Sequence, residues 1–178
     1  MRIIGGAHRG RKLKELKGLD IRPTSDMVKE SIFNIVQFDM EGRSVLDLFA
    51  GTGQLGIEAL SRGAKNAVFT DTSPQAVKII KDNLAGCGIE NAKVITTEAI
   101  SYLKRAEKFD IIFLDPPYDT ALIDSALAKI IEFDILKENG IIICETKADK
   151  QLPALSPPYS VTKEYRYGSI KITKIERN

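Results

Sequence analysis

The chain has 178 residues, 43% of them hydrophobic, and a net charge of +2, which is typical of one globular domain with a full core. It contains one histidine and two cysteines, so a histidine-based triad, a multi-histidine metal centre and a disulfide framework are excluded. No apolar stretch approaches the ~20 residues that cross a membrane, and the start has no signal-peptide apolar core. We therefore expect a soluble cytoplasmic protein without a membrane partner, in which both cysteines are reduced and packed.

Basic residues are concentrated at the start of the chain. Residues 1–17 contain one acidic residue, Glu15, and six basic ones: Arg2, Arg9, Arg11, Lys12, Lys14 and Lys17. Glycines divide this segment, and Ile3 and Leu13 are among its few apolar anchors, which predicts a small hairpin or an ordered arm. An isolated lysine is best interpreted as solvated surface. Contact with phosphate is the better interpretation for the basic residues near glycines or a proline, which are Arg9, Arg11, Lys12 and Arg22.

Strands and helices alternate after a helix predicted over about residues 26–37. The predicted strands are 44–48, 67–71, 94–96, 109–114 and 141–145. Helices are predicted between them, the second opened by Pro74. Two β-rich runs, 159–167 and 169–175, are separated by Gly168 and predict a closing hairpin. Five βα repeats and a hairpin predict an α/β fold, a doubly wound sheet with an antiparallel edge.

A glycine-rich loop follows the first predicted strand. Gly51-Thr52-Gly53-Gln54-Leu55-Gly56 fits the G-x-G-x-x-G pattern in its strand-to-helix context. Enzymes that use NAD and enzymes that use S-adenosylmethionine both need glycines where the ligand passes close to the backbone. Asp71 ends the second strand twenty positions after Gly51, where its carboxylate can accept the ribose hydroxyls of either cofactor.

Two acidic positions bear on the choice between these cofactors. Asp47 precedes the loop by four residues, and its negative charge suits a cationic sulfonium or ammonium group but is unfavourable beside a pyrophosphate. The alternative is a structural role, in which Asp47 caps local amides and Asp71 caps the helix at Pro74. Glu98-Ala99, after the third strand, either accepts from an adenine amine or simply begins a helix.

A second motif follows the fourth predicted strand. In Asp115-Pro116-Pro117-Tyr118 the two prolines end the strand and fix a stiff loop at its carboxyl end, where open α/β sheets bind their ligands. The loop offers a carboxylate, a proline carbonyl and an aromatic ring, which suit a flat ring bearing an amine. An ordinary strand-terminating turn is the alternative interpretation.

Four separated segments together resemble the class I S-adenosylmethionine-dependent methyltransferases, and most closely the bacterial 16S rRNA guanine-N2 methyltransferases of the RsmD type. They are Arg2-Ile3-Ile4-Gly5-Gly6 with Arg9-Gly10-Arg11-Lys12-Leu13, then Arg22-Pro23-Thr24-x-Asp26, the stretch 47–64, and Asp115-Pro116-Pro117-Tyr118. The resemblance covers nearly the whole chain. It implies a Rossmann-like, seven-stranded methyltransferase sheet. It also implies methylation of guanine 966 in 16S rRNA, within an assembled or assembling small ribosomal subunit.

The resemblance also implies a role for each site residue, with S-adenosylmethionine as methyl donor and no metal. The catalytic residues would be Asp115, Pro116, Pro117 and Tyr118. The cofactor would be bound by Asp47, Phe49, Ala50, Gly51, Thr52, Gly53, Asp71, Thr72, Glu98 and Ala99. The RNA would be bound by Arg9, Arg11, Lys12, Arg22 and Thr24. Residues 1–25 would form a basic RNA-binding extension and residues 26–178 a single methyltransferase domain, acting as a monomer.

The chain departs from the family pattern at four positions. Asp71 stands where the family more often has glutamate, and Glu98 where it more often has aspartate; both changes keep the carboxylate. Met27 and Lys29 replace the more usual arginines after Asp26, so the details of RNA contact differ here.

Other functions are compatible with parts of the pattern. The tetrapeptide also suits methylation of adenine N6 in nucleic acid or of a glutamine amide, although the chain has no room for the separate recognition domain of many DNA adenine enzymes. An NAD(P)-dependent oxidoreductase could use the same glycine loop, but no Tyr-x-x-x-Lys pair lies between the fourth and fifth predicted strands to donate a proton. A catalytically silent RNA-binding module is the third alternative.

Overall fold

The computed structural model describes residues 1–16, 26–117 and 121–178. In these ranges the elements are α1 (Asp26–Ile35), β1 (Ser44–Asp47), α2 (Gln54–Ser61), β2 (Asn66–Asp71), α3 (Pro74–Cys87), β3 (Ala92–Thr96), α4 (Ala99–Leu103), β4 (Phe109–Leu114), α5 (Leu122–Glu132), β5 (Leu136–Lys147), β6 (Tyr159–Tyr167) and β7 (Ile170–Arg177). None of these helices is long and apolar enough to cross a membrane.

The strands form one seven-stranded sheet in the order β3-β2-β1-β4-β5-β7-β6. The first five strands are parallel, and β7 joins β5 and β6 in antiparallel pairs. This arrangement confirms the predicted α/β doubly wound sheet with its antiparallel carboxyl-terminal hairpin. The order also reverses between β1 and β4, which opens a crevice at the carboxyl ends of the strands.

Several element boundaries differ from the prediction. The first helix ends at Ile35 instead of residue 37, and β3 begins at Ala92 instead of residue 94. The largest difference is β5, which begins at Leu136 instead of residue 141. Its first half is polar and contains Asn139 at a positive φ of 56°, so it lacks the apolar run that marks a buried parallel strand.

The sheet separates two apolar clusters, because alternate residues of a strand face opposite sides. One cluster joins the sheet to α1, α2 and α3, with Val45, Phe69 and Phe113 as strand members. The other joins the sheet to α4 and α5 through residues such as Leu46 and Ile112. Helices therefore cover both faces, and the strand ends remain as the place where a site can form.

The basic segment at the start of the chain is a hairpin that packs on the first cluster. Its two arms meet at an antiparallel bridge between Arg2 and Lys12, and the amide of Ile3 donates to the carbonyl of Arg11 at 2.9 Å. Ile3 and Leu13 are buried members of the core, as their apolar character in a charged segment predicts.

Glu58 of α2 fastens this hairpin to the domain. It has no exposed surface, and its two carboxylate oxygens accept from the backbone amides of Ile4 (2.9 Å) and Gly5 (2.7 Å). Arg62 donates to the same carboxylate at 2.8 Å. A buried carboxylate with three donors is well satisfied, so the hairpin is held by hydrogen bonds as well as by apolar packing.

Lys29 of α1 also contacts the hairpin and is fully buried. Its ammonium donates to the backbone carbonyl of Arg2 and lies 3.7 Å from the carboxylate of Asp26. Burial lowers the pKa of Lys29, while the nearby charges of Glu58 and Asp26 oppose that shift. Lys29 therefore supports the hairpin from within and is not available to contact RNA.

Replacing Glu58 with alanine should destabilise the folded chain by about 2–4 kcal/mol, because it leaves two backbone amides and Arg62 without their acceptor in a buried place. Equilibrium unfolding in urea, followed by circular dichroism, measures the change. Glu90→Ala, at an exposed position, is the matched control. A loss for Glu58→Ala no larger than that of the control would contradict the role of this carboxylate.

Candidate active site

A cavity of about 940 Å³ opens in the crevice at the carboxyl ends of the parallel strands, a size suited to a small-molecule ligand. Nine of the ten predicted cofactor residues line it: Asp47, Phe49, Ala50, Gly51, Thr52, Asp71, Thr72, Glu98 and Ala99. The predicted catalytic residues Asp115, Pro116 and Pro117 line the same cavity. Sequence positions up to 70 residues apart thus converge on one site.

The three glycines of the loop serve different purposes. Gly51 and Gly53 have positive φ values of 55° and 79°, a conformation that costs other residues free energy. Gly53 is not among the residues that line the cavity. A Cβ at this position would lie 3.0 Å from Ile80 of α3, so this glycine permits close packing on that helix. A Cβ on Gly56 would lie 2.2 Å from the ring of Phe69, so this glycine permits close packing of α2 on the sheet.

Asp47 both accepts a local backbone hydrogen bond and borders the cavity. Its carboxylate accepts from the backbone amide of Gly56 at 3.0 Å, which is the structural role, and it also lines the cavity. Only 2% of the residue is exposed. The pKa of Asp47 is raised to about 7, mainly by burial and to a smaller extent by the negative charge of Asp71, against the lowering effect of the Gly56 amide. A cationic ligand in the cavity would favour the ionised form.

Asp71 connects the glycine loop to the start of α3. Its Oδ2 accepts from the amide of Gly51 at 2.9 Å and its Oδ1 from the amide of Ser73 at 2.8 Å. The helix itself is capped by Ser73, whose Oγ accepts from the amide of Ala76, so Asp71 is not the cap. A carboxylate has about four acceptor positions, which leaves Asp71 capacity to accept from a ligand.

Glu98 lies at the N-cap position of α4, but its side chain makes no capping hydrogen bond. The residue is exposed and lines the cavity. The preceding residue is held in place, since the amide of Thr97 donates to the carbonyl of Asp71 at 2.9 Å. The carboxylate of Glu98 therefore does not cap its own helix, and the residue borders the cavity.

Strand register arranges these carboxylates in two levels. Asp47 lies opposite Phe69 of β2 and Phe113 of β4. Two residues further along those chains, on the same face of the sheet, come Asp71 and Asp115. Asp47 therefore forms the floor, and the other two lie roughly 7 Å higher on either side of β1, about 10 Å apart.

Asp115 and the prolines form the wall of the cavity beyond β4. Asp115 is half-buried, Pro116 is buried and Pro117 is exposed, so the backbone here is packed while the carboxylate reaches the cavity. Tyr118, predicted to stack on a base, lies outside the described residues.

The lining of the cavity is strongly acidic. Six side-chain carboxylates belong to it, those of Glu15, Asp47, Asp71, Glu98, Asp115 and Glu145. Among the described residues that line the cavity, none is lysine or arginine, and the positive charge of the Met1 ammonium is paired with Glu15. Such a field attracts a cation and opposes a pyrophosphate, which favours a sulfonium ligand over a dinucleotide.

The basic residues predicted to bind RNA lie at a distance from this cavity. Arg9, Arg11 and Lys12 are exposed, near the tip of the hairpin, and Arg11 donates to the carbonyl of Gly86 near the end of α3. Ser73, at the start of that helix, lines the cavity, and the helix between them spans about 20 Å. These residues therefore do not border the cavity, although their predicted role in RNA binding suggested a location near the active-site end. Arg22 and Thr24 lie outside the described residues.

Five further polar residues line the cavity without having been predicted: Glu15, Gln54, Ser73, Thr97 and Glu145. Glu145 ends an apolar run of β5 in the same way that Asp47 ends β1, and this pattern could have identified it. Gln54 follows the second glycine of the loop and is only 8% exposed, but nothing distinguishes its sequence position from an ordinary first residue of a helix.

Neither cysteine takes part in the site. Cys87 and Cys144 are free and buried, as predicted, and burial raises the pKa of the Cys144 thiol. Within residues 1–16, 26–117 and 121–178, no group of three or more histidine, cysteine, aspartate or glutamate side chains is arranged to hold a metal ion.

Comparison with known proteins gives the family. The family model described as "Conserved hypothetical protein 95" matches residues 1–176. The chain belongs to this family.

Relatives that are named as methyltransferases align with nearly the full length of this chain. Ribosomal RNA small subunit methyltransferase D of Haemophilus influenzae is 39% identical over 176 residues, which are 96% of this chain and 90% of that protein. YlbH of Bacillus subtilis, named as a candidate rRNA methyltransferase, is 40% identical over 173 residues, which are 94% of each chain. The structure of YhhF from Escherichia coli, described as a candidate methyltransferase, superposes with a TM-score of 0.91 at 31% identity and covers 100% of this chain and 98% of that one. The resemblance to the RsmD-type family is thereby confirmed.

The raised pKa of Asp47 predicts a pH-dependent stability. The unfolded chain releases this proton near pH 4, whereas the folded chain retains it up to about pH 7. The free energy of unfolding therefore falls as the pH rises from 4 to 7. Asp47→Asn removes this titration and should be more stable than the wild type by on the order of 3 kcal/mol at pH 8, with no such advantage at pH 4.

Thermal unfolding of the ligand-free protein at several pH values measures this difference. Asp149→Asn, at an exposed position, should follow the wild-type profile. An advantage of Asp47→Asn that is the same at every pH would show that burial of this carboxylate does not control the profile.

Proposed function

We propose that the chain transfers a methyl group from S-adenosylmethionine to the exocyclic N2 of a guanine in 16S rRNA, at position 966. One observation carries this proposal: Asp115 and Pro116 line the same acidic cavity as Asp47 and Asp71. A carboxylate and a proline loop thus face the place where a cationic cofactor would lie. The names of the relatives, which include small-subunit rRNA methyltransferases, support rRNA as the substrate.

The methyl donor is S-adenosylmethionine, and its groups match the cavity. Asp47, at the floor, suits the sulfonium or the ammonium group. Asp71 accepts from the ribose hydroxyls, and Glu98 accepts from the adenine amine. The glycine loop lets the ligand approach the backbone. Each assignment places a donor or a positive charge of the cofactor against a carboxylate.

The amine of guanine is a weak nucleophile because its lone pair is delocalised into the ring. Hydrogen bonds from its N–H groups to the Asp115 carboxylate and the Pro116 carbonyl localise that pair and direct it at the methyl carbon. As the N–C bond forms, the C–S bond breaks and its electron pair remains on sulfur, which becomes a neutral thioether. The nitrogen, now cationic, releases a proton to Asp115 or to water. Positioning supplies most of the rate enhancement.

The target base must leave its stack to reach this cavity, since its amine edge is otherwise paired or buried. Tyr118 is proposed to stack on the extruded base, an interaction worth roughly 1–3 kcal/mol.

The RNA-binding surface is proposed to include the exposed tip of the hairpin, with Arg9, Arg11 and Lys12 contacting phosphates away from the target base. Arg22 and Thr24 are proposed to contribute further contacts to the RNA. The partner would be 16S rRNA in an assembled or assembling small ribosomal subunit, in the cytoplasm. The enzyme would act as a monomer, which agrees with the charged residues on the edge strand β6, such as Lys163 and Arg166.

Asp115→Ala should abolish methyl transfer to small-subunit particles that lack the modification, because the amine loses its principal acceptor. Its affinity for S-adenosylhomocysteine, measured by calorimetry, should stay within tenfold of the wild type. Mass analysis of the nucleosides should give N2-methylguanosine for the wild type. Glu90→Ala, exposed and located just before β3 at the opposite end of the sheet from the cavity, is the control for activity.

Two outcomes would contradict the assignment. Full activity of Asp115→Ala would remove the proposed catalytic role of this carboxylate. Formation of N6-methyladenosine by the wild type would replace guanine by adenine as the target. The same calorimetry with NAD should show no binding, which separates the methyltransferase from an oxidoreductase.

Arg9→Ala and Lys12→Ala should each weaken binding to rRNA and reduce the slope of log K against log salt concentration by about 1, if each residue contacts one phosphate. Both are exposed, so the fold should tolerate the changes better than deletion of the hairpin, which would remove the buried Ile3 and Leu13 from the first apolar cluster. Filter binding at several salt concentrations measures the slopes. Lys104→Ala, beyond α4, should leave the slope unchanged, and an unchanged slope in the hairpin variants would make the hairpin purely structural.

A further inference from the structure

Glu145 lines the cavity but has no part in the chemistry described so far. It is only 4% exposed and lies near the carboxyl end of β5. Leu114 of β4 pairs in register with Cys144 of β5, so Asp115 and Glu145 are the next residues on neighbouring strands. Their backbones are therefore about 5 Å apart, and both side chains face the same cavity.

Gln54 gives a second, independent indication that the lining of this cavity can bind a polar molecule. Its side chain lines the cavity and is 92% buried, given its exposure of 8%. Its Oε1 receives no hydrogen bond from the described residues. Buried amide groups are normally satisfied, so this part of the cavity retains polar capacity that a bound molecule can use.

The two neighbouring carboxylates distinguish between purines. In guanine the N2 amine lies beside N1–H, so two adjacent atoms are hydrogen-bond donors. In adenine the N6 amine lies beside an N1 that carries a lone pair. A pair of carboxylates can accept from both donors of guanine, whereas with adenine one carboxylate would face a lone pair. Two acceptors in contact leave buried groups unsatisfied, which is unfavourable.

We propose that Glu145 is a specificity-determining residue, whose carboxylate accepts from N1–H of the guanine while Asp115 accepts from its amine. This inference rests on the proposed function and deepens it, because it gives the reason for guanine over adenine. The methyl transfer itself is unchanged: Glu145 binds the base and takes no proton from the amine.

The experiment uses small-subunit particles reconstituted with either guanine or 2-aminopurine at the methylated position. The base 2-aminopurine keeps the amine but has a lone pair at N1, as adenine does. The wild type should prefer guanine by about 100-fold or more in kcat/KM, since a site that binds a donor rejects the analogue that lacks it. Glu145→Gln should narrow this preference to about tenfold or less, because its amide N–H can donate to that lone pair.

Matched variants separate this role from a structural one. Glu138→Gln, an exposed change on the same strand, should keep the wild-type preference. Glu145→Ala should also reduce the preference, with a lower rate on guanine, and provides a second measurement if the glutamine variant is unstable. Affinity for S-adenosylhomocysteine should stay within tenfold in both Glu145 variants.

Several results would overturn the inference. These are equal rates of the wild type on the two bases, an unchanged preference in both Glu145 variants, or a loss of S-adenosylhomocysteine affinity at unchanged preference, which would assign the carboxylate to the cofactor. Failure of the wild type to methylate guanine would refute the proposed function instead, so the two failures are distinguishable.

Discussion

The central strand β1 is hydrogen-bonded to β2 on one side and to β4 on the other, and the chain leaves these strands toward opposite faces of the sheet. After β1 it enters α2, which packs in the first apolar cluster, and after β4 it proceeds to α5, which packs in the second. The divergence of the two connections keeps the crevice open. The glycine loop and the Asp115 loop face each other there because the sheet imposes it, whatever the ligand.

The acidic lining of the cavity is the second constraint, and it lowers the stability of the fold. Asp47 is buried, and the charge of Asp71 also raises its pKa, so this lining carries an electrostatic cost that grows as Asp47 ionises. A bound cation would offset this cost. The same arrangement that makes the free protein less stable at higher pH thus gives the site its preference for a positively charged cofactor. The carboxylates near β4 and β5 complete the lining on the side assigned to the acceptor.

Much of this could be predicted from the sequence because local patterns specify it. Apolar runs predicted the parallel strands, and the aspartates at the ends of three of these runs, Asp47, Asp71 and Asp115, pointed to the cavity. The polar first half of β5 was not predicted from the sequence, because its pairing depends on neighbouring strands and not on its own apolar content. The direction of the hairpin was not predicted either. No spacing in the sequence shows that Arg9 lies beside the carboxyl ends of α2 and α3, because contacts with residues more than 50 positions away determine this location.

The attachment of the hairpin has a consequence for the order in which the chain folds during synthesis. The hairpin is synthesised before the side chains that fasten it to the domain: the amides of Ile4 and Gly5 donate to Glu58, and the amide of Lys14 donates to Asn83. At 5–20 residues per second, those partners follow some seconds later. We therefore expect the hairpin to dock only after α2 and α3 have formed, as a late step that closes the first apolar cluster.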